Sequence, residues 1–155
     1  MANAVIGSNG EKVIVFYTFR DSEEFANFTE GTKKLISGSI LQSSVFIVFV
    51  EEEAQKSKLP YSARFNYIAK KDFNLLGQVK DKALKEKLKT DYDVLLVFDH
   101  IDDKYVKLIN KTKASKRIVS SLTEGINFDI RLNSSSIRIE QIASFAKETL
   151  EKIQS

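Results

Sequence analysis

The chain has no cysteine and no tryptophan, one histidine, one proline, and one methionine, which is its first residue. Without cysteine there is no disulfide, thiolate zinc site, iron–sulfur cluster, cysteine nucleophile or redox pair. A lone histidine, His100, excludes a multi-histidine metal site. No metal and no cofactor is expected. Glycine is scarce as well, with 6 in 155 residues, and none falls in the pattern of a phosphate loop or dinucleotide fingerprint. The turn after the first apolar run, Phe19 to Glu24, has no glycine and is acidic, so it would repel a phosphate. No Gly-x-Ser-x-Gly elbow is present for a serine nucleophile. Long hydrophobic runs are also missing. The longest, Val45 to Val50, falls far short of the ~20 residues that cross a bilayer, and the first ten residues lack the basic and apolar regions of a signal peptide. The expectation is a cytoplasmic protein with no membrane partner.

What is present is ordinary for a globular domain: 43% hydrophobic and 29% charged residues, in a length close to one domain at about 150 residues each. One domain over residues 1–155 is expected. The formal net charge of +3 is too small to argue for nucleic acid, but its distribution is uneven. Residues 1–53 carry 4 basic and 8 acidic side chains, residues 54–90 carry 10 and 3, and residues 91–155 carry 10 and 10. The basic middle reads first as a lysine-rich, solvated helix with its loops.

Lys12 to Thr18 is a β-branched and aromatic run, apolar on both faces, as expected of a parallel strand covered by helices. Asp21 stands three residues before Glu24, a capping-box spacing, and opens a helix over 22–37 with Phe25, Phe28, Thr32, Leu35 and Ile36 on one stripe and Gly38 at its end. Strands are read at Val45–Val50, Arg64–Ala69, Tyr92–Phe98, Arg117–Ser120 and Ile126–Leu132. A second helix carries Val79, Ala83, Leu84 and Leu88. A third, capped by Asp102 and Asp103, carries Tyr105, Val106, Leu108 and Ile109. A last helix, after Ser134–Ser136, runs through Ile139, Ile142, Ala146, Leu150 and Ile153. This order predicts a three-layer α/β/α, Rossmann-like sandwich with a mostly parallel sheet of five or six strands. The second and third strands, and the fifth and sixth, are the expected antiparallel exceptions.

The segment Lys70-Lys-Asp-Phe-Asn-Leu-Leu-Gly77 is followed by a helix, the strand Tyr92–Asp99, a Tyr-containing helix and Thr112-Lys-Ala-Ser-Lys116. Over residues 64–132 it resembles an uncharacterised bacterial family of short α/β proteins with a Lys-Lys-Asp-x-Asn-x-x-Gly element. An aromatic often follows the Asn there, where Leu75 stands here, and Asp99-His100 departs from that family's usual strand ending. The resemblance implies the fold and no assigned activity.

In an open α/β sheet, ligands bind beyond the carboxyl ends of the strands. Those ends gather Lys70, Lys71, Asp72, Asn74, Asp99 and His100, the ligand-binding candidates, together with Thr18, Arg20, Asp21, Glu51–Glu53, Ser120, Ser121 and Thr123. A carboxylate beside an imidazole can move protons near neutral pH, but Asp99 also reads as a helix cap, and no residue is assigned a catalytic role. Asp72 and Asn74 read first as turn formers leading into Gly77, with Lys70 and Lys71 solvated. The expected function is a non-catalytic binding or interaction module. The alternatives are an enzyme or binder acting on a small phosphorylated or glycosyl ligand at the strand ends, or weak polyanion binding by the Lys80–Lys116 region. A small anionic ligand and a homodimer are the partners left open, and nucleic acid is disfavoured for want of exposed aromatics.

Overall fold

Every residue of Val13–Tyr17 is buried, so this segment feeds two cores at once. Its alternate side chains point to opposite faces. Val13, Val15 and Tyr17 join one cluster, and Ile14 and Phe16 the other. The computed structural model describes residues 12–37, 44–59, 65–98, 101–120 and 123–131, leaving aside the side chains of 31–37, 53 and 54. The last helix, Pro60, Asp99 and His100 lie outside the described residues.

In chain order the elements are β1 (Val13–Thr18), α1 (Ser22–Ser37), β2 (Val45–Phe49), a 3-10 turn (Glu53–Lys58), β3 (Phe65–Ile68), a second 3-10 turn (Lys70–Asp72), α2 (Lys82–Lys89), β4 (Tyr92–Phe98), α3 (Asp103–Lys111), β5 (Ala114–Ser120) and β6 (Ile130–Arg131). The strands form one six-stranded sheet in the order β3-β2-β1-β4-β5-β6. All five pairings are parallel. The order reverses between β1 and β4, the switch point of a Rossmann-like sheet. Phe25 and Phe28 of α1 close one face; Leu84 and Leu88 of α2 and Tyr105 and Ile109 of α3 close the other.

Both expected antiparallel exceptions are overturned. β2 and β3 pair in parallel, Val48 opposite Tyr67, and the described part of the connection that leaves β2 holds a 3-10 turn, Glu53–Lys58, rather than a tight hairpin turn. β5 and β6 also pair in parallel, Ile118 opposite Ile130. Parallel pairing normally needs a longer crossover than this one. Here the return segment is fastened piece by piece: Asn110 Nδ2 donates to Gly125 O at 2.8 Å, Asn127 N donates to Asn110 Oδ1 at 2.9 Å, and Ile126 is buried in the core. Arg117 N then donates to Asp129 Oδ2 at 2.8 Å, setting the register of the two-residue β6.

The strand at Arg117–Ser120 starts three residues earlier, at Ala114, since β4 supplies a ladder partner to its polar half (Val94 opposite Lys116). Residues 126–129 are not strand. Two helix starts follow the cap chemistry. Asp81 accepts from Leu84 N and Asp102 from Lys104 N, satisfying amides a helix leaves open at its N-terminus. The Arg117 guanidinium does the converse for α3, donating to Ile109 O at 2.9 Å and Thr112 O at 2.7 Å. Its burial lowers its pKa from the usual arginine value, and Asp129 acts in the opposite direction.

Phe16 is fully buried and stacks on Phe49 at 6.0 Å between centroids. Phe16→Ala is expected to cost about 3–5 kcal/mol of unfolding free energy, and Ile47→Val about 0.5–1.5, measured by urea denaturation.

Candidate functional site

The connection from β3 to α2 is built around Asp72. Its carboxylate accepts from Ala69 N at 2.7 Å and from the Lys56 ammonium, tying the Lys70–Asp72 turn to the 3-10 turn before β3. From there the chain forms a short hairpin. Lys80 N donates to Asp72 O and Asn74 N to Gln78 O, each at 2.8 Å, and Phe73 bridges Val79 in antiparallel fashion. Gly77 N donates to Asn74 O at 3.0 Å, and Gly77 sits at φ +76°, the left-handed position of a three-residue hairpin loop. Asn74 Oδ1 accepts from Leu76 N at 2.9 Å and Gln78 N at 3.0 Å, so the side chain closes the turn that the backbone begins.

That turn puts Leu75 and Leu76 at its two central positions, where no neighbour covers them. Leu75 is fully exposed and Leu76 is 83% exposed. The base of the hairpin is held firmly. Val79 is buried, and Phe73 lies 5.7 Å from the Tyr105 ring, which stacks on Phe49 at 4.0 Å. Burial pushes the Tyr105 hydroxyl above its ordinary pKa, and the nearby Asp102 and Asp72 carboxylates push the same way.

Two hollows flank the hairpin. The larger, about 590 Å³, takes its apolar lining from Phe73, Leu76, Val79, Leu88 and Leu108. Lys85 and Lys89 of α2, Lys104, Lys107 and Lys111 of α3, and Lys113 complete its charged lining. The second, about 540 Å³, is bordered by Leu75, Phe73 and Tyr105, with Lys70, Lys80 and Lys104. Among the described residues, no aspartate or glutamate lines either hollow. Among the described residues, Lys104 alone of these lysines pairs with a carboxylate, Asp102 at 3.8 Å, and its ammonium also lies 5.3 Å from the Tyr105 ring centroid.

The sequence-read candidates separate here. Lys70 borders a hollow and Lys71 is exposed on the turn beside it. Asp72 and Asn74 spend their oxygens on the hairpin itself. Asp99 and His100 lie outside the described residues. The lysines of α2 and α3 were legible as a basic region. The exposed leucines were missed, although the pattern Asn-Leu-Leu-Gly places two apolar residues where a tight turn cannot bury them.

The switch point offers a different surface. Asp21 Oδ1 accepts Glu24 N at 2.8 Å and so caps α1, and Glu23 and Glu24 follow in the first turn. Three carboxylates at this helix start take the place a phosphate would need. Thr18 Oγ1, at the carboxyl end of β1, is buried without a hydrogen-bond partner among the described residues. Among those residues no group of three or more His, Asp or Glu side chains gathers to hold a metal, and no helix is long and apolar enough to cross a membrane.

A family model matches residues 5–153, nearly the whole chain. The chain belongs to DUF6913, a family of unknown function. The match extends well beyond residues 64–132, where the resemblance to an uncharacterised family was read, and assigns DUF6913 no activity. Comparison with curated proteins and with solved structures yields no match.

Asp72→Ala removes a charge-assisted acceptor from a partly exposed pair and is expected to cost about 1–3 kcal/mol, with faster amide exchange at Gln78 and Lys80, read by urea denaturation and hydrogen exchange. Burial raises the pKa of Tyr67, Tyr92 and Tyr105 above 10.0. For such groups the folded state holds its protons longer than the unfolded one. The stability they contribute is therefore complete below pH 10 and is lost as pH rises through their folded values. Unfolding free energy should fall above about pH 10, less steeply in Tyr105→Phe.

Proposed function

We propose that this DUF6913 protein is a non-catalytic, cytoplasmic binding module whose recognition surface is the hairpin face of α2 and α3, and whose partner is anionic. The observation that carries this reading is the pair of hollows walled by lysine, with no carboxylate among the described residues of their lining. Lys104, Lys107 and Lys111 recur three and four residues apart on α3, and Lys85 and Lys89 four apart on α2. Like charges at such spacings repel, so a negative partner relieves strain already present in the free protein. The surface holds charge and apolar area but no nucleophile–base pair, which supports binding rather than turnover.

A second reading places a small polar ligand at the switch point. One observation favours it, the unpartnered Thr18 Oγ1 at the end of β1. The acidic cap of α1 weighs against a phosphorylated ligand there.

Poly-L-glutamate separates these readings. The first expects binding, read by fluorescence anisotropy, that weakens steeply with salt, is absent for poly-L-glutamine, and is lost in Lys107→Glu/Lys111→Glu but kept in Lys58→Glu. Binding unchanged by the double charge reversal, or absent altogether, overturns it. The second expects a neutral sugar that raises the melting temperature of the native chain but not of Thr18→Val. If nothing occupies that place, Thr18→Val itself raises stability by about 1–3 kcal/mol, because it removes an unpaired buried hydroxyl.

A further inference from the structure

Resting on the binding surface proposed above, we infer that the larger hollow takes an amphiphilic anion: a single hydrocarbon tail against Phe73, Leu76, Val79, Leu88 and Leu108, with its anionic head among the lysines of α3 and α2. The lining names both halves of such a molecule. Val79 and Leu88 are buried at the base while Leu76, on the hairpin, is left 83% exposed, so the hollow has an apolar floor and an apolar wall left open among the described residues. Its volume of about 590 Å³ falls within the roughly 300–1,000 Å³ of small-molecule sites.

Among the described residues, the charged rim is entirely lysine. Lysine offers compact charges on flexible stems, and several can gather on a single anionic head without the fixed fork geometry that arginine imposes. The apolar stems of Lys107 and Lys111 also extend the hydrocarbon lining up to the charge. A sugar phosphate would leave the floor unused. A single-stranded nucleic acid would want an exposed aromatic to stack on, and Phe128, the exposed aromatic among the described residues, lines neither hollow and sits under Arg131 instead. An amphiphile uses both features, and covers the leucine that the turn geometry forces into water.

The test is a titration of the full chain with laurate, held below its micellisation concentration and followed by displacement of the anionic fluorophore 1-anilinonaphthalene-8-sulfonate. Dodecanol serves as the neutral analogue and acetate as the tail-less one. Laurate is expected to bind at least about tenfold more tightly than dodecanol, and acetate not to compete. Lys107→Glu/Lys111→Glu should lose laurate binding by about tenfold or more, Leu76→Ser should weaken it severalfold, and Lys58→Glu should leave it unchanged, all with unaltered circular dichroism. Should the charge reversal unfold the chain, Lys107→Ala/Lys111→Ala replaces it with the same expectation. Equal affinity for laurate and dodecanol, laurate binding indifferent to both lysine variants, or no laurate binding overturns the inference. If laurate fails while polyglutamate still binds through Lys107 and Lys111, the amphiphile is wrong and the anion-binding surface stands. If both fail, both readings fall.

Discussion

A strand covered on both faces has no place for a polar side chain, and this constraint governs where the protein can do anything. β1, β2 and β4 are buried almost throughout, alternate residues entering the cluster under α1 or the cluster under α2 and α3. Parallel pairing forces each connection to cross a face of the sheet, so helices arrive on both sides and the interior becomes uniformly apolar. Chemistry is then confined to the strand ends, the outward faces of the helices and the connections. In this protein the connection between β3 and α2 departs from a plain crossover by carrying a hairpin of its own.

That connection shows how local rules can expose what global burial would hide. Asn at the start of a tight turn and Gly at its left-handed position are strong local instructions, and Asp72 adds a side-chain clamp at the base. Phe73 and Val79 satisfy the core on either side of the turn. With both flanks committed, Leu75 and Leu76 have no route inward. Their exposure is a consequence of the turn, and it is stable because the surrounding hydrogen bonds would have to break to relieve it. Such positions, where local preference and hydrophobic burial disagree, are where function is commonly found.

Sequence patterning made the fold legible where a single rule decided the outcome. Near-continuous apolar runs gave the buried parallel strands, and Asp21 and Asp102 mark helix starts that the hydrogen bonds bear out. Strand direction was not legible at the sheet's edges, because it depends on where a connection packs rather than on composition. Residues 123–129 contain no helical pattern, yet Asn110 and Arg117 carry them across α3 and bring β6 in parallel. For the site, Lys70 was found by its charge. Asp72 and Asn74 had two readings, binding or turn forming, and only the positions of their oxygens settle that they form the turn. The hollows were invisible because they need α2, α3 and the hairpin to meet in space, and no single stretch of sequence records that meeting.

The Rossmann-like order would ordinarily direct attention to the switch point between β1 and β4. Charge argues for another location. The α1 start at that place carries Asp21, Glu23 and Glu24, while α2, α3 and the hairpin carry the lysines. On the proposed reading, an anion approaching the molecule would be turned away from the crevice that topology favours and drawn to a helical face that topology leaves unassigned. The field sorts ligands by sign before any contact forms, and the exposed leucines sort them again by their need for apolar cover. A hydrophilic anion meets only the first filter and a neutral hydrocarbon only the second. A molecule joining both properties would gain at each step, which is the physical basis for proposing the hairpin face, rather than the sheet's carboxyl edge, as the binding surface of this protein.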